Sequence, residues 1–283
     1  MLIEQIKPDL VGGKSDLESC LRAESRRRGW PDQDCEAIIS ILPQELLSCG
    51  CFLDRLTGLW RYEFGEPHRI GTELIWGTHM WSPVPVLLDV LACAHLRLPS
   101  DRLAAYLRLL VSDARRHQEY LAEMFPMLRV EAAIPAQYEV AGHGVGNKTI
   151  DWVIGPAEGR AVKIDVKRRY KDFLAQMEGV SDGDIPPPAH DPALLFRSVE
   201  EKFREADPQS SLQGAWIVTD IQQEEDELER ASAGLDVSKV HFAVLGDAQS
   251  DVGLLTRREE DRAFILRLFG AVETRRFQFK RAC

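Results

Sequence analysis

Thr149-Ile150-Asp151-Trp152-Val153-Ile154 is followed, after Gly155-Pro156-Ala157-Glu158-Gly159 and two more residues, by Val162-Lys163-Ile164-Asp165-Val166-Lys167-Arg168. Both runs are dominated by β-branched and other apolar residues, and the segment between them has the glycine and proline of a turn. The pattern predicts an antiparallel hairpin. Each strand nevertheless carries a carboxylate, and a lysine follows the second by two residues. Burying even a neutral polar group without a partner costs roughly 2–7 kcal/mol. Asp151, Asp165 and Lys167 therefore need a compensating reason to stand there.

Strand side chains alternate, so residues two apart share a face. Lys163, Asp165 and Lys167 then lie on one face, with Val162, Ile164, Val166 and Arg168 on the other. In the first strand Asp151 goes with Thr149 and Val153, opposite Ile150, Trp152 and Ile154. With matching register, Asp151 and Asp165 can approach one ion, and Lys167 points into the same cleft. A hard divalent cation such as Mg²⁺ (or Mn²⁺) takes oxygen ligands and keeps several waters. Asp151, Asp165 and the backbone carbonyl of Val166 suit it. Such an ion polarises a phosphoryl oxygen and acidifies bound water, and Lys167 would orient that water. Lys163 is a further candidate on the same face. The competing reading is an ion pair of Asp165 with Lys167 on a solvated strand face, with Asp151 closing a turn.

Asp151, then Asp165-Val166-Lys167 in the next strand, resembles the PD-(D/E)XK nuclease superfamily, which has the restriction-endonuclease-like fold. Ile150 stands where the proline of the motif would be. The resemblance spans roughly residues 100–246. It implies an α/β fold with a mixed central sheet flanked by helices, and an upstream helix that carries a glutamate. Ser100 to Phe125 reads as one long amphipathic helix with Glu119 and Glu123 a turn apart. Glu119 is the favoured metal ligand, with Glu123 as its alternative. Helices over Pro192–Ala206 and Glu224–Ala233 and strands over Gly214–Thr219 and Val240–Leu245 follow the family's order. The implied activity is metal-dependent phosphodiester hydrolysis by an endonuclease, with DNA as substrate. Arg168 and Arg169 are the candidate substrate contacts. An RNA-processing member, or a catalytically silent fold that binds protein or nucleic acid, are the alternatives.

The chain is expected to divide near residue 98 into a mainly α-helical N-terminal domain (1–98) and a catalytic domain (99–283). Helices are read over Asp16–Arg28, Asp34–Ser48, Val84–Leu96 and Thr256–Phe269, and a last strand over Val272–Phe279. Trp60, Tyr62, Phe64, Trp76 and Trp81 form an aromatic cluster, read as core. Pro186-Pro187-Pro188 lies in an insert that would be a lid or a substrate-contacting loop, or else disordered. Gly142-His143-Gly144-Val145-Gly146 lacks the Lys-Ser/Thr of a phosphate loop and reads as a hairpin loop.

The formal net charge of −10 is unusual for a nucleic-acid enzyme, because phosphate binding relies on Lys and Arg. Arg160, Lys163, Lys167, Arg168, Arg169 and Lys171 nonetheless crowd around the proposed cleft. An acidic shell around a basic cleft would suit an enzyme recruited by a partner or restricted to a particular nucleic-acid structure, and a protein partner or a homodimer is the further expectation. No apolar run approaches the ~20 residues that cross a bilayer, and the N-terminus lacks a signal-peptide pattern. The six cysteines, Cys20, Cys35, Cys49, Cys51, Cys93 and Cys283, contain no CxxC pair. Free thiols and a cytoplasmic, non-membrane protein are expected.

Overall fold

The computed structural model describes residues 15–42, 68–70, 73–75, 83–112, 117–155, 159–169, 192–219, 230–246, 252–270 and 273–278. The chain divides into two compact units, Met1–Leu121 and Ala122–Cys283. Residue 98 lies inside the first, between two helices. Pro99-Ser100 punctuates the helices there, and Leu98, Leu103, Leu107 and Leu110 on both sides of it are buried. The aromatic cluster, the Pro186–Pro188 insert, most of the Glu224–Ala233 helix and the end of the helix expected to run to Ser48 lie outside the described residues.

The first unit contains α1 (Ser15–Arg27), α2 (Asp32–Ile41), α3 (Pro83–Arg97), α4 (Ser100–Ser112) and the start of α5 (His117–Glu123). It also contains a short antiparallel hairpin, β1 (His68–Ile70) with β2 (Glu73–Ile75), which the helical expectation omitted. Helices α1, α2 and α3 contact one another, and Leu21, Ile38, Leu88, Val90 and Leu91 are buried. Gly29, with φ of 71°, ends α1 by letting the chain turn back. Much of the basic run just before it, Arg26-Arg27-Arg28, is spent on ion pairs. Buried Glu24 takes Arg27 and Arg28, and Arg28 also reaches Asp89. Cys35 and Cys93 are buried free thiols, and burial pushes Cys93 up to about 12, which keeps it protonated and inert.

The second unit is built on a mixed seven-stranded sheet, in spatial order β3 (Ala136–Val140), β4 (Ile150–Ile154), β5 (Ala161–Arg169), β6 (Ser211–Thr219), β7 (Phe242–Leu245), β8 (Val252–Thr256) and β9 (Glu273–Gln278). The β3–β4, β4–β5 and β7–β8 pairs are antiparallel. The β5–β6, β6–β7 and β8–β9 pairs are parallel. The chain is therefore of the α/β class with a mixed sheet. The predicted long helix does not run unbroken to Phe125: α5 ends at Glu123 and a separate α6 (Phe125–Leu128) follows, while residues 113–116 lie outside the described residues. Pro126 in the first turn of α6 explains the break at Met124, since it restricts Phe125 and donates no backbone hydrogen bond.

Helices cover both faces of the sheet, which is why the central strands are nearly continuous apolar runs. On one face α7 (Pro192–Glu200) packs Leu195, Phe196 and Val199, with Phe203 just beyond it, against Ala215, Ile217, Ala243 and Leu245. Ile150 joins this cluster, a departure from the simple alternation of β4. On the other face Trp152, Ile164 and Trp216 are fully buried, and the Trp216 ring meets Phe269 edge-on at 5.1 Å. Phe269 directly follows α8 (Glu259–Leu268). Buried Asp261 in α8 pairs with Arg160 at the entry to β5, and Arg160 also donates to the Pro208 carbonyl before β6. This clamp sets the start of the two central parallel strands.

Gly214 sits in β6 between Ile164 and Phe242 in the register. A Cβ there would lie 2.7 Å from Phe242 Cδ1 and would also clash with the Phe242 carbonyl oxygen. Overpacking a closed core costs about 1–3 kcal/mol. Gly214→Ala is expected to lower the unfolding free energy by about 1–3 kcal/mol, read as a lower urea midpoint with an unchanged slope, and an unaltered midpoint would show that the strands part freely there.

Candidate functional site

Trp152 pairs with Ile164, so Asp151 stands next to Asp165 one step further along the two strands. Asp165 is completely buried, and Asp151 keeps 16% of its side chain exposed. The expectation that β4 and β5 bring these two carboxylates together on the face shared with Lys163 and Lys167 describes their placement. Lys167 Nζ lies 2.8 Å from Asp165 Oδ2. The buried Oδ2 thus has an ion-pair neighbour, and among the described residues no further hydrogen-bond donor reaches it.

A second lysine, absent from the sequence reading, completes the cluster. Lys202 Nζ is 3.3 Å from Asp151 Oδ1 and contacts Asp165 Oδ1. Its ammonium bridges the two strands. The other oxygen of Asp151, Oδ2, accepts the Val166 amide at 2.7 Å. The centre is thus two carboxylates and two ammoniums, formally neutral, with Lys167 on one edge of Asp165 and Lys202 between the aspartates. Lys202 follows α7 by two residues and extends the inward stripe of Leu195 and Val199 at helical spacing. A lysine on that stripe is the signal that could have revealed it.

The Gly142–Gly146 loop fixes the backbone of Lys202. Val145 N donates to the Lys202 carbonyl at 2.9 Å, and Lys202 N donates to Val199 O at 3.0 Å. Lys148 Nζ approaches Glu201 Oε2 at 3.6 Å. A Cβ on Gly144 would meet the Lys148 carbonyl and come within 3.2 Å of the Lys202 carbonyl. The loop is the hairpin loop expected, joining antiparallel β3 and β4, and it is also a close-fitting brace for the cluster.

The remaining candidates are dispersed. Lys163 is on the site face, but its Nζ donates to Gln213 Oε1 at 3.3 Å, and burial with Arg204 nearby pushes its pKa down. Glu123 is half-buried, and its carboxylate accepts the Tyr138 hydroxyl while its carbonyl accepts Trp152 Nε1 at 2.5 Å. Tyr138 pairs with Trp152 across the strands, and their rings are 5.0 Å apart. Glu123 is thereby held on the sheet face opposite Asp151 and Asp165. Glu119 is an exposed residue one turn earlier on α5, within the first unit. Glu139 stands across from Asp151 in the β3–β4 pairing, where its φ of 49° takes it out of the regular ladder. Among the described residues no three His, Cys, Asp or Glu side chains converge as a metal cage. Arg168 belongs to the opposite alternation from Asp165 and is half-buried. The side chain of Arg169 and all of Lys171 lie outside the described residues. Arg160 is committed to Asp261. The run of six cations expected around one cleft is therefore divided by strand alternation and by ion pairing.

Comparison with protein-family models, with curated proteins and with solved structures finds no match to this chain.

The electrostatics are those of a partly desolvated acid pair. Burial first, and the neighbouring Asp165 second, push Asp151 up to about 7, against the pull of Lys202 and the Val166 amide. Asp165 and Asp151 together push Lys202 up, against the opposing effect of its own burial. An Asp in the unfolded chain titrates at about 3.9. Between about pH 4 and 7 the folded protein then holds a proton that the unfolded chain has released, so this group's contribution to stability falls as pH rises through that window. Asp151→Asn keeps an oxygen for the Val166 amide and removes the titration. In thermal melts from pH 5 to 8 with chelator present, wild type is expected to lose melting temperature relative to Asp151→Asn as pH rises, with the gap levelling off above about pH 7. Parallel curves would mean that Asp151 is ionised throughout.

Proposed function

We propose that the second unit is a restriction-endonuclease-like domain that hydrolyses phosphodiester bonds with the help of Mg²⁺ or Mn²⁺, with DNA as substrate. The observation that carries this reading is the placement of Asp151 beside Asp165, with Lys167 two residues on and at the same carboxylate. The order of elements supports it: a helical segment, the antiparallel β3–β4–β5 meander, α7, then β6 parallel to β5. So does the donor set. Two carboxylates side by side away from solvent are a costly arrangement that a divalent cation would relieve, and Asp151 and Asp165 stand so. Asp151 Oδ1, Asp165 and Val166 are the groups that would hold the ion. Bound there, a divalent cation would polarise the phosphoryl oxygen and lower the pKa of a water. Asp151 and Asp165 would fix its position, the α7 and β4 side chains would exclude bulk water from behind Asp165, and Lys167 would align the attacking water and stabilise charge on the phosphate.

The test is cleavage of supercoiled plasmid and of labelled single-stranded DNA and RNA with Mg²⁺ or Mn²⁺. Wild type should cut, Asp165→Asn should not, and Lys167→Met should lose about 10²–10⁴-fold, the scale of a positioned proton-transfer group. Full activity of Asp165→Asn would sink the assignment.

A second reading has its own observation. Two ammoniums already neutralise the two carboxylates, so the cluster is self-compensated as it stands. A catalytically silent fold that binds protein or nucleic acid would keep that network permanently. Titration calorimetry separates the two: a silent fold gives no metal heat that depends on Asp151 and Asp165.

A further inference from the structure

We infer that Lys202 is a tethered cation that occupies the centre of the site in the metal-free protein, and that a divalent ion enters by displacing its ammonium. This rests on the metal-dependent reading above and deepens it.

Three features carry the inference. The ammonium of Lys202 touches Oδ1 of both aspartates, so it occupies the point between β4 and β5 that an ion shared by Asp151 and Asp165 must take. Two cations cannot share that point, because like charges that close repel strongly in a half-desolvated pocket. The two lysines also differ in placement. Lys167 engages Asp165 Oδ2 alone, at the far edge of the carboxylate, and an ion between the Oδ1 atoms leaves it in place. Finally, Lys202 can leave without unfolding anything. Its backbone is fixed by Val199 O and by the Val145 amide, yet its side chain is 22% exposed. A flexible four-carbon stem can carry the strongly hydrated ammonium outward while the chain stays still.

Lys202 thus holds the carboxylates apart from one another's charge while the ion is absent, and it sets the ion concentration at which the site fills. Ion entry becomes an exchange of one cation for another rather than the filling of a bare acidic pocket. The exchange weakens apparent metal affinity and protects the fold when metal is scarce. It also places a free ammonium at the mouth of the cleft once the ion is bound, where a phosphate would meet it.

The 283-residue chain is titrated with Mn²⁺ in a calorimeter as wild type, Lys202→Met, Lys202→Gln and Asp165→Asn. Lys202→Met keeps most of the stem and removes the charge, and Lys202→Gln serves if the apolar replacement fails to fold. The neutral variants should bind Mn²⁺ at least tenfold more tightly than wild type and should melt lower than wild type in chelator. Equal or weaker binding by the neutral variants, with wild-type binding that Asp165→Asn abolishes, overturns the inference and leaves the metal reading standing. Absence of Mn²⁺ binding in wild type and neutral variants alike overturns both. An independent measurement uses wild type alone: amine-reactive labelling read by mass spectrometry. Mn²⁺ should raise the labelling rate of Lys202 severalfold against an unchanged Lys167. A rate for Lys202 that Mn²⁺ leaves unaltered overturns the displacement.

Discussion

The second unit depends on one constraint, the complete burial of a carboxylate in the centre of a β-sheet. Asp165 has no exposed surface, and an ionised group there is tolerated only if opposite charge comes with it. The fold supplies that charge from two directions. Lys167 arrives along the same strand, two residues on, by the period of the β-pleat. Lys202 arrives from the far end of α7, 37 residues away, and reaches Asp165 only because α7 packs on that face of the sheet. The Gly142–Gly146 loop then braces Lys202 from outside. Strand pairing, helix packing and loop geometry all converge on this carboxylate.

That convergence explains what the sequence makes legible. The alternation in Val162–Arg168 is local, so the shared face of Lys163, Asp165 and Lys167 follows from residue spacing alone. The pairing of Asp151 with Asp165 follows once the turn is read as a tight hairpin. The parallel core strands are also legible, since strands buried on both faces show as unbroken apolar runs, as in Gly214–Thr219. The strands β3 and β8 are not. Ala136–Val140 is an edge strand with polar residues and only Tyr138 buried, so it shows little hydrophobic signal. Val252–Thr256 abuts a helix and contains Gly253, which blurs its pattern.

The site residues divide along the same line. Lys202 is hidden because its partner lies across the fold, and a lysine on a helix stripe is normally assigned to solvent. Glu123 misleads for the converse reason. Its spacing from Glu119 is that of a helix face, but nothing local says which side of the sheet that face meets. Its carboxylate engages the Tyr138 hydroxyl on the Trp152 side. Charge counting fails similarly: clustered cations in sequence alternate in space, and Arg160 is tied to Asp261 before any ligand arrives.

The same cluster bears on whether such a site works as a catalyst or as a strut. Two aspartates and two lysines at close range are neutral and need nothing further, which is the state of a structural ion network. They become a cation site only if one ammonium can be moved at small cost. Lys167 is poorly suited to move, because it is the compensating charge nearest to Oδ2 of a carboxylate with no exposure. Lys202 is well suited, because it stands between the two Oδ1 atoms where a shared ion would sit and its backbone is held independently of its charge; exposure does not separate the pair, since both stems are similarly open to solvent. The asymmetry between the two lysines, rather than the number of carboxylates, is therefore the property on which the chemistry of this face turns. A third carboxylate would strengthen metal binding, but it would also require a third compensating charge whenever the metal was absent. A movable lysine solves that problem with the groups already present.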